Sequence, residues 1–82
     1  MMNPQEIVLK VEAALAGAKV NVKDLTGTRD HFQVTVVSAQ FEGKTLVARH
    51  RMMYEILHDS MEAQGGGIHA LSLNTLAPGE AT

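Results

Sequence analysis

Hydrophobic and polar positions follow two periods along this chain, which predicts both helices and strands. The first segment carries four apolar residues at helical spacing: Ile7, Val11, Ala14 and Leu15. Asn3 suits the N-cap of this helix, Pro4 its first position and Gly17 its C-terminal stop. The sequence therefore predicts a helix that opens near residue 3 and buries one stripe.

From residue 18 to residue 25 the pattern changes to strict alternation, which is typical of a half-buried strand. The apolar positions of this strand are Ala18, Val20 and Val22. Residues 26–30 have the composition of a turn, and a second alternating strand follows it, with Phe32, Val34 and Val36 on its apolar side. The short connection predicts an antiparallel hairpin.

The helical period returns after residue 43. Its apolar face comprises Leu46, His50, Met53, Leu57 and Met61. We expect a short turn near residue 45, then a main helix that ends at the glycine run 65–67. Residues 68–76 form a third strand, which Pro78 and Gly79 stop.

The order of these elements predicts the architecture. A strand–helix–strand connection normally returns the chain parallel to its start with right-handed sense. We therefore expect a single α+β domain over residues 1–82, with its core in about 3–77, in which helices cover one face of a three-stranded mixed sheet.

Composition narrows the chemistry. The 82 residues include no cysteine, so a disulfide, a thiolate nucleophile and a cysteine-based metal site are excluded. The formal net charge of −2 argues against a globally basic nucleic-acid binder. Apolar runs are too short to cross a membrane, and the N-terminal segment lacks the pattern of a signal peptide, so we expect a cytoplasmic protein.

Two of the four histidines stand at strand starts. His31 opens the second strand and His69 the third, and the starts of parallel neighbours lie at the same end of a sheet, about 4.8 Å apart. Two imidazoles placed there can serve one metal centre, although ordinary polar edge residues are an alternative reading. His31 falls on the polar side of its strand and His69 on the apolar side, so convergence requires a frayed start or a bulge.

A basic cluster lies at the predicted main helix. Lys44, Arg49 and Arg51 surround His50, which helical spacing turns toward the apolar stripe as a half-buried structural residue. Such a cluster is either solvated surface or a site for an anionic partner, a phosphate backbone or the carboxylates of glutathione. The sequence shows no nucleophile–base pair, paired catalytic carboxylates or phosphate loop, so we do not expect an enzyme.

The order and spacing of several short segments, from about residue 3 to residue 80, resemble the BolA family. These segments are His31-Phe32, Val34-Thr35-Val36-Val37-Ser38, Phe41-Glu42-Gly43, Arg49-His50-Arg51 and Ile68-His69-Ala70-Leu71. The chain departs from the family where Pro78-Gly79-Glu80 is followed by Ala81 and Thr82, because family members usually carry a Trp after the Glu.

The resemblance implies an αββααβ fold like the class II KH domains. It also implies a partnership with a monothiol glutaredoxin, either in apo form or around a bridging 2Fe-2S cluster that a glutaredoxin Cys and a bound glutathione help to ligate. His69 matches the family's histidine ligand. The second ligand comes from the region of strands one and two, a Cys in some members and a His in others, and His31 is the natural candidate. No cofactor is expected in the isolated protein.

Two functions follow from this resemblance. The leading one is an interaction protein in iron–sulfur trafficking or in iron or redox regulation. The alternative is a KH-like transcriptional regulator that binds DNA through Lys44, Arg49, His50 and Arg51. The net charge, the few aromatic residues and the lack of a GxxG clamp argue against this alternative.

Overall fold

The computed structural model describes residues 3–27, 29–61 and 64–81. Its helices and strands, in chain order, are α1 (Pro4–Ala14), β1 (Lys19–Asp24), β2 (His31–Val37), α2 (Leu46–Ile56) and β3 (Ala70–Leu76). Short 3-10 turns occupy Ala39–Phe41, His58–Ser60 and Pro78–Glu80. Within the described residues, no helix combines the length and apolar character that crossing a membrane requires.

Helix α1 begins and packs largely as the sequence predicts. The Asn3 side chain accepts a hydrogen bond from the backbone N–H of Gln5 at 2.9 Å, which caps the first turn. Ile7 and Val11 are buried within the helix, and Leu15 is buried directly after it. The predicted place of Ala14 on this stripe is wrong, because Ala14 is exposed.

The sheet has the order β1–β2–β3 and is mixed, as predicted. β1 pairs with β2 antiparallel, and β2 pairs with β3 parallel. The hairpin turn is organised by the carboxylate of Asp24, which accepts hydrogen bonds from the N–H groups of Thr26, Gly27 and Arg29 at 3.0–3.3 Å. An Asp in this position stabilises a turn because its short side chain reaches the following backbone.

The core lies between the helices and one face of the sheet. Phe32, Val34 and Val36 on the central strand are fully buried, and they belong to one cluster with residues of both helices. The two helices also contact each other, so they cover the same face of the sheet. The alternate residues of β2 point to the opposite side, where they are half-buried. This arrangement confirms the predicted layering.

The connection from β2 to β3 differs from the prediction. Helix α2 ends at Ile56 and does not continue to the glycine run at 65–67. A 3-10 turn at His58–Ser60 follows, so the predicted main helix is confirmed only as far as α2 extends. Met61 then forms an isolated parallel bridge with Ile68, so its backbone pairs as in a strand and not as in a helix.

The buried face of α2 also differs from the predicted stripe. Met53 and Leu57 are buried as expected, and His50 is half-buried. Leu46, however, is 64% exposed, and Arg49 takes the buried position one turn before Met53. A cation can occupy this position because its guanidinium donates four hydrogen bonds, as described below.

Candidate functional site

The imidazoles of His31 and His69 lie side by side at one end of the sheet. Their ring centroids are 5.0 Å apart, with the ring planes inclined by 53°. His31 is the first residue of β2, and His69 directly precedes β3. The predicted meeting of these two histidines is therefore confirmed.

An irregular start of β3 explains how the two rings converge. The N–H groups of His69 and Ala70 both donate to the carbonyl of Asp30, at 2.7 and 3.0 Å. Regular pairing begins only with His31 opposite Ala70, so His69 stands outside the ladder. Its side chain is exposed and is released from the strict alternation of the strand.

The carboxylate of Asp30 contacts the imidazole ring of His31. Oδ1 of Asp30 lies 2.8 Å from Nδ1 of His31, and both side chains are about one-third exposed, at 36% and 35%. An ionised carboxylate only accepts hydrogen bonds, so Nδ1 of His31 carries the hydrogen in this contact. Nε2 is then the nitrogen of His31 that can bind a metal or another donor.

The histidine pair fits part of a metal coordination shell. Two imidazole nitrogens on one iron are known from Rieske-type 2Fe-2S centres. Within residues 3–27, 29–61 and 64–81, no group of three or more His, Cys, Asp or Glu residues is arranged to hold a metal ion. The pair can contribute two imidazole ligands to a metal centre.

Arg49 of the predicted basic cluster is held by hydrogen bonds within the protein. Its Nε donates to the carbonyl of Lys44 at 3.0 Å, and Nη1 donates to the carbonyl of Thr75 at 3.1 Å. Both terminal nitrogens also bind the carboxylate of Glu80, at 2.6 and 3.1 Å. The guanidinium carbon lies 5.9 Å from the ring centroid of Phe41, within the range of a cation–π contact.

This network changes the interpretation of the basic cluster. The hydrogen bonds from Arg49 and from the Ala77 N–H lower the pKa of the Glu80 carboxyl to about 2. The reading of the cluster as solvated surface is wrong for Arg49, since its charge is buried and paired with Glu80. Lys44 and Arg51 are exposed, and His50 is half-buried. Their role in binding a partner or nucleic acid stays a prediction.

The remaining histidine lies in a more ordinary setting. His58 is 63% exposed on its 3-10 turn, with Nδ1 3.2 Å from Oδ1 of the neighbouring Asp59. It therefore repeats the histidine–aspartate contact of the site, but within the described residues it does not repeat the contact between two imidazoles. This makes it a matched control for the experiments below.

Sequence reasoning missed two acidic residues. The sequence pattern assigns Asp30 only to a turn, and Glu80 enters only through the Pro78-Gly79-Glu80 segment after the third strand. An acidic residue next to a histidine is a signal that could have drawn attention to Asp30. The same signal occurs at His58 and Asp59, so it does not by itself distinguish the two places.

The fold and the site define a small α+β domain with a mixed sheet and an exposed histidine pair at the parallel strand starts. A family model for BolA-like proteins matches residues 2–80. The chain therefore belongs to the BolA-like family.

Curated relatives agree with this assignment. The chain is 34% identical to the chloroplastic protein BOLA1 of Arabidopsis thaliana over 79 residues, which cover 96% of the chain and 48% of that protein. It is 44% identical to SufE-like protein 1 of A. thaliana over 50 residues, or 61% of the chain and 13% of that protein. It is 41% identical to mouse BolA-like protein 2 over 71 residues, covering 84% and 78%. The chain thus spans half or less of the two plant proteins.

Solved structures show the same fold. BolA1 from A. thaliana has a TM-score of 0.83 and 31% identity, with complete coverage of both chains. The BolA domain of SufE1 from A. thaliana has a TM-score of 0.81 and 32% identity, covering 98% of this chain and 99% of that one. A BolA homologue from Coxiella burnetii has a TM-score of 0.79 and 33% identity, covering 99% and 97%.

Proposed function

We propose that this BolA-like protein binds a monothiol glutaredoxin and, in that complex, ligates a bridging 2Fe-2S cluster through His69 and His31. Its role is then in iron–sulfur trafficking or in iron or redox regulation. It acts by binding and not by catalysis. The observation that carries this proposal is the pair of imidazoles 5.0 Å apart at the surface.

The incompleteness of the site favours a shared cluster. The chain has no cysteine, so it cannot supply thiolates to iron. Two histidines alone leave two of the four terminal ligand positions of a 2Fe-2S cluster open. A glutaredoxin thiolate and the thiolate of a bound glutathione supply the chemistry that this surface lacks. This division of ligands also explains why no cofactor is expected in the isolated protein.

The comparisons support the same setting. A domain of this family occurs within a SufE-like protein, and the present chain resembles that domain along nearly its whole length. We take this relationship as support for a role connected with iron–sulfur clusters. The glutaredoxin partner is the one that the resemblance to the BolA family implies.

Anaerobic reconstitution tests the proposal. The protein is mixed with a monothiol glutaredoxin, glutathione, iron and sulfide, and visible absorption and circular dichroism are compared with those of the glutaredoxin alone. We expect a spectrum distinct from that of the glutaredoxin homodimer. His69→Ala should abolish this spectrum, His31→Ala should weaken it, and His58→Ala should leave it unchanged.

Two results would contradict the proposal. If the wild-type protein does not alter the glutaredoxin spectrum, cluster sharing with that glutaredoxin is wrong. If His69→Ala and His31→Ala both retain the wild-type spectrum, the ligand assignment is wrong. DNA binding that weakens steeply with salt would then favour the nucleic-acid alternative, although the burial of Arg49 leaves that surface with fewer available cations.

A further inference from the structure

We propose that Asp30 is the positioning residue of the histidine pair: its side chain sets the tautomer and orientation of His31, and its carbonyl sets the backbone of His69. This inference rests on the proposed function for its consequence in cluster binding. Its effect on the histidines is a property of the isolated chain and can be measured there.

The first half of this role follows from the side-chain contact. The 2.8 Å contact between the Asp30 carboxylate and Nδ1 of His31 places the hydrogen on Nδ1. In the neutral ring Nε2 is then the unprotonated nitrogen, which is the form that a metal requires. A carboxylate that holds the far nitrogen of a ligating histidine also fixes the ring's orientation and raises its basicity.

The second half follows from the backbone. The same residue accepts the N–H groups of His69 and Ala70 through its carbonyl, at 2.7 and 3.0 Å. This shared acceptor holds His69 just before the first residue of β3, next to His31. One residue therefore contacts both ligand candidates, by different atoms.

Buried neighbours anchor the backbone at both histidines. Each histidine has a fully buried neighbour: Phe32 follows His31, and Ile68 precedes His69. Ile68 is held further by its N–H, which donates to the Ser60 carbonyl at 2.9 Å. Because the backbone at His31 is anchored, its ring can still turn about the side-chain bonds. The hydrogen bond to the Asp30 carboxylate restricts this rotation.

The direct test is the tautomer of His31 in the isolated protein. Long-range proton–nitrogen NMR at about pH 8, where histidine side chains are mostly neutral, reports which nitrogen carries the hydrogen. We expect Nδ1–H for His31 in the wild type. Asp30→Ala should shift His31 toward Nε2–H, whereas Asp30→Asn should keep Nδ1–H because the amide oxygen still accepts. Asp59→Ala is the matched control and should leave His31 unchanged.

Two results would contradict the positioning role of Asp30. If wild-type His31 carries its hydrogen on Nε2, or if Asp30→Ala leaves the tautomer unchanged, the positioning role of Asp30 is wrong. The Asn variant guards against a folding defect, because it keeps the size and the hydrogen-bond acceptor of the native side chain.

The cluster-bound complex separates this inference from the proposed function. Loss of a carboxylate behind a ligating histidine typically weakens metal binding about 10–100-fold, so Asp30→Ala should shorten the lifetime of the bridged cluster by a factor of that order. Asp30→Asn should lose less, and Asp59→Ala nothing. If His69→Ala abolishes the cluster while Asp30→Ala does not affect it, the inference fails and the proposed function stands. If His69→Ala and His31→Ala both have no effect, the proposed function itself fails.

Discussion

At the scale of single residues, the two site histidines differ in how they are held. The ring of His31 is restrained by the carboxylate of Asp30 and is about one-third exposed. His69 is exposed and is placed by its backbone, through the hydrogen bond to the Asp30 carbonyl. The pair thus combines one preorganised ring with one accessible ring.

Replacement of His31 by cysteine tests which ligand type the site accepts. Because thiolate is a stronger electron donor than imidazole, His31→Cys should keep the bridged cluster and lower its reduction potential. Its visible circular dichroism should also change. Loss of the cluster in His31→Cys, with a folded protein, would contradict the placement of a ligand at this position.

At the scale of elements, the loop between α2 and β3 determines where His69 stands. Its backbone is tied by hydrogen bonds from Gly66 N–H to the Met61 carbonyl and from Ile68 N–H to the Ser60 carbonyl, both at 2.9 Å. Gly66 packs directly on the backbone of Ser60, so that a side chain at this position would overlap with it. Gly66 is needed here because it has no side chain. Its backbone conformation is one that other residues also adopt.

We expect Gly66→Ala to destabilise the protein by about 1–3 kcal/mol, because the loop must shift to relieve the overlap. Urea unfolding measures this change. Gly79→Ala is the control, since a methyl group there meets no atom within 4 Å and the backbone angle is ordinary. Equal stability of the two variants would contradict the tight packing of this loop.

The Arg49–Glu80 pair is the second contact that joins elements. It links α2 to the last 3-10 turn, 31 residues away in the chain, and Arg49 also holds the carbonyl of Thr75 in β3. Glu80 additionally accepts the N–H of Ala77 at 2.9 Å. The end of β3 is therefore fastened to the helix layer by one charged network.

This network predicts an acid-dependent loss of stability. The Glu80 pKa is about 2 in the folded protein, against an ordinary value of 4.5. Between these values the unfolded chain binds more protons than the folded one, so stability is present above about pH 4.5 and falls as the pH drops toward 2. Glu80→Gln should flatten this part of the dependence in thermal unfolding. An unchanged acid slope in Glu80→Gln would contradict the lowered pKa.

At the scale of the whole molecule, the hydrophobic pattern was enough for the architecture. Strict alternation along β2 placed Phe32, Val34 and Val36 in the core, and the lengths of the connections gave one antiparallel and one parallel pairing. That topology also brought His31 and His69 to the same end of the sheet. The placement of both histidines at this end was thus predictable because it depends on strand order, whereas the convergence of their rings also depends on the irregular start of β3.

Other features depend on contacts that a local pattern does not contain. A buried Arg49 is acceptable only because Glu80 lies against it, and the helical period of α2 carries no sign of that partner. The apolar period continues to Met61, but pairing of Met61 with Ile68 diverts the backbone from the helix. The role of Asp30 depends on one side-chain rotamer beside His31.

The complex as a whole provides the most direct test of the central claim, which is that this chain supplies histidine ligands to a shared cluster. The protein is labelled with ¹⁵N only in its histidines and is assembled anaerobically with unlabelled glutaredoxin, glutathione, iron and sulfide. The reduced cluster is then studied by pulsed electron paramagnetic resonance. We predict strong ¹⁵N couplings from two histidines. One of them should disappear in His31→Ala, which weakens but does not abolish the mixed cluster, and both should persist in His58→Ala. A paramagnetic cluster in the mixed complex with no histidine ¹⁵N coupling would contradict the account.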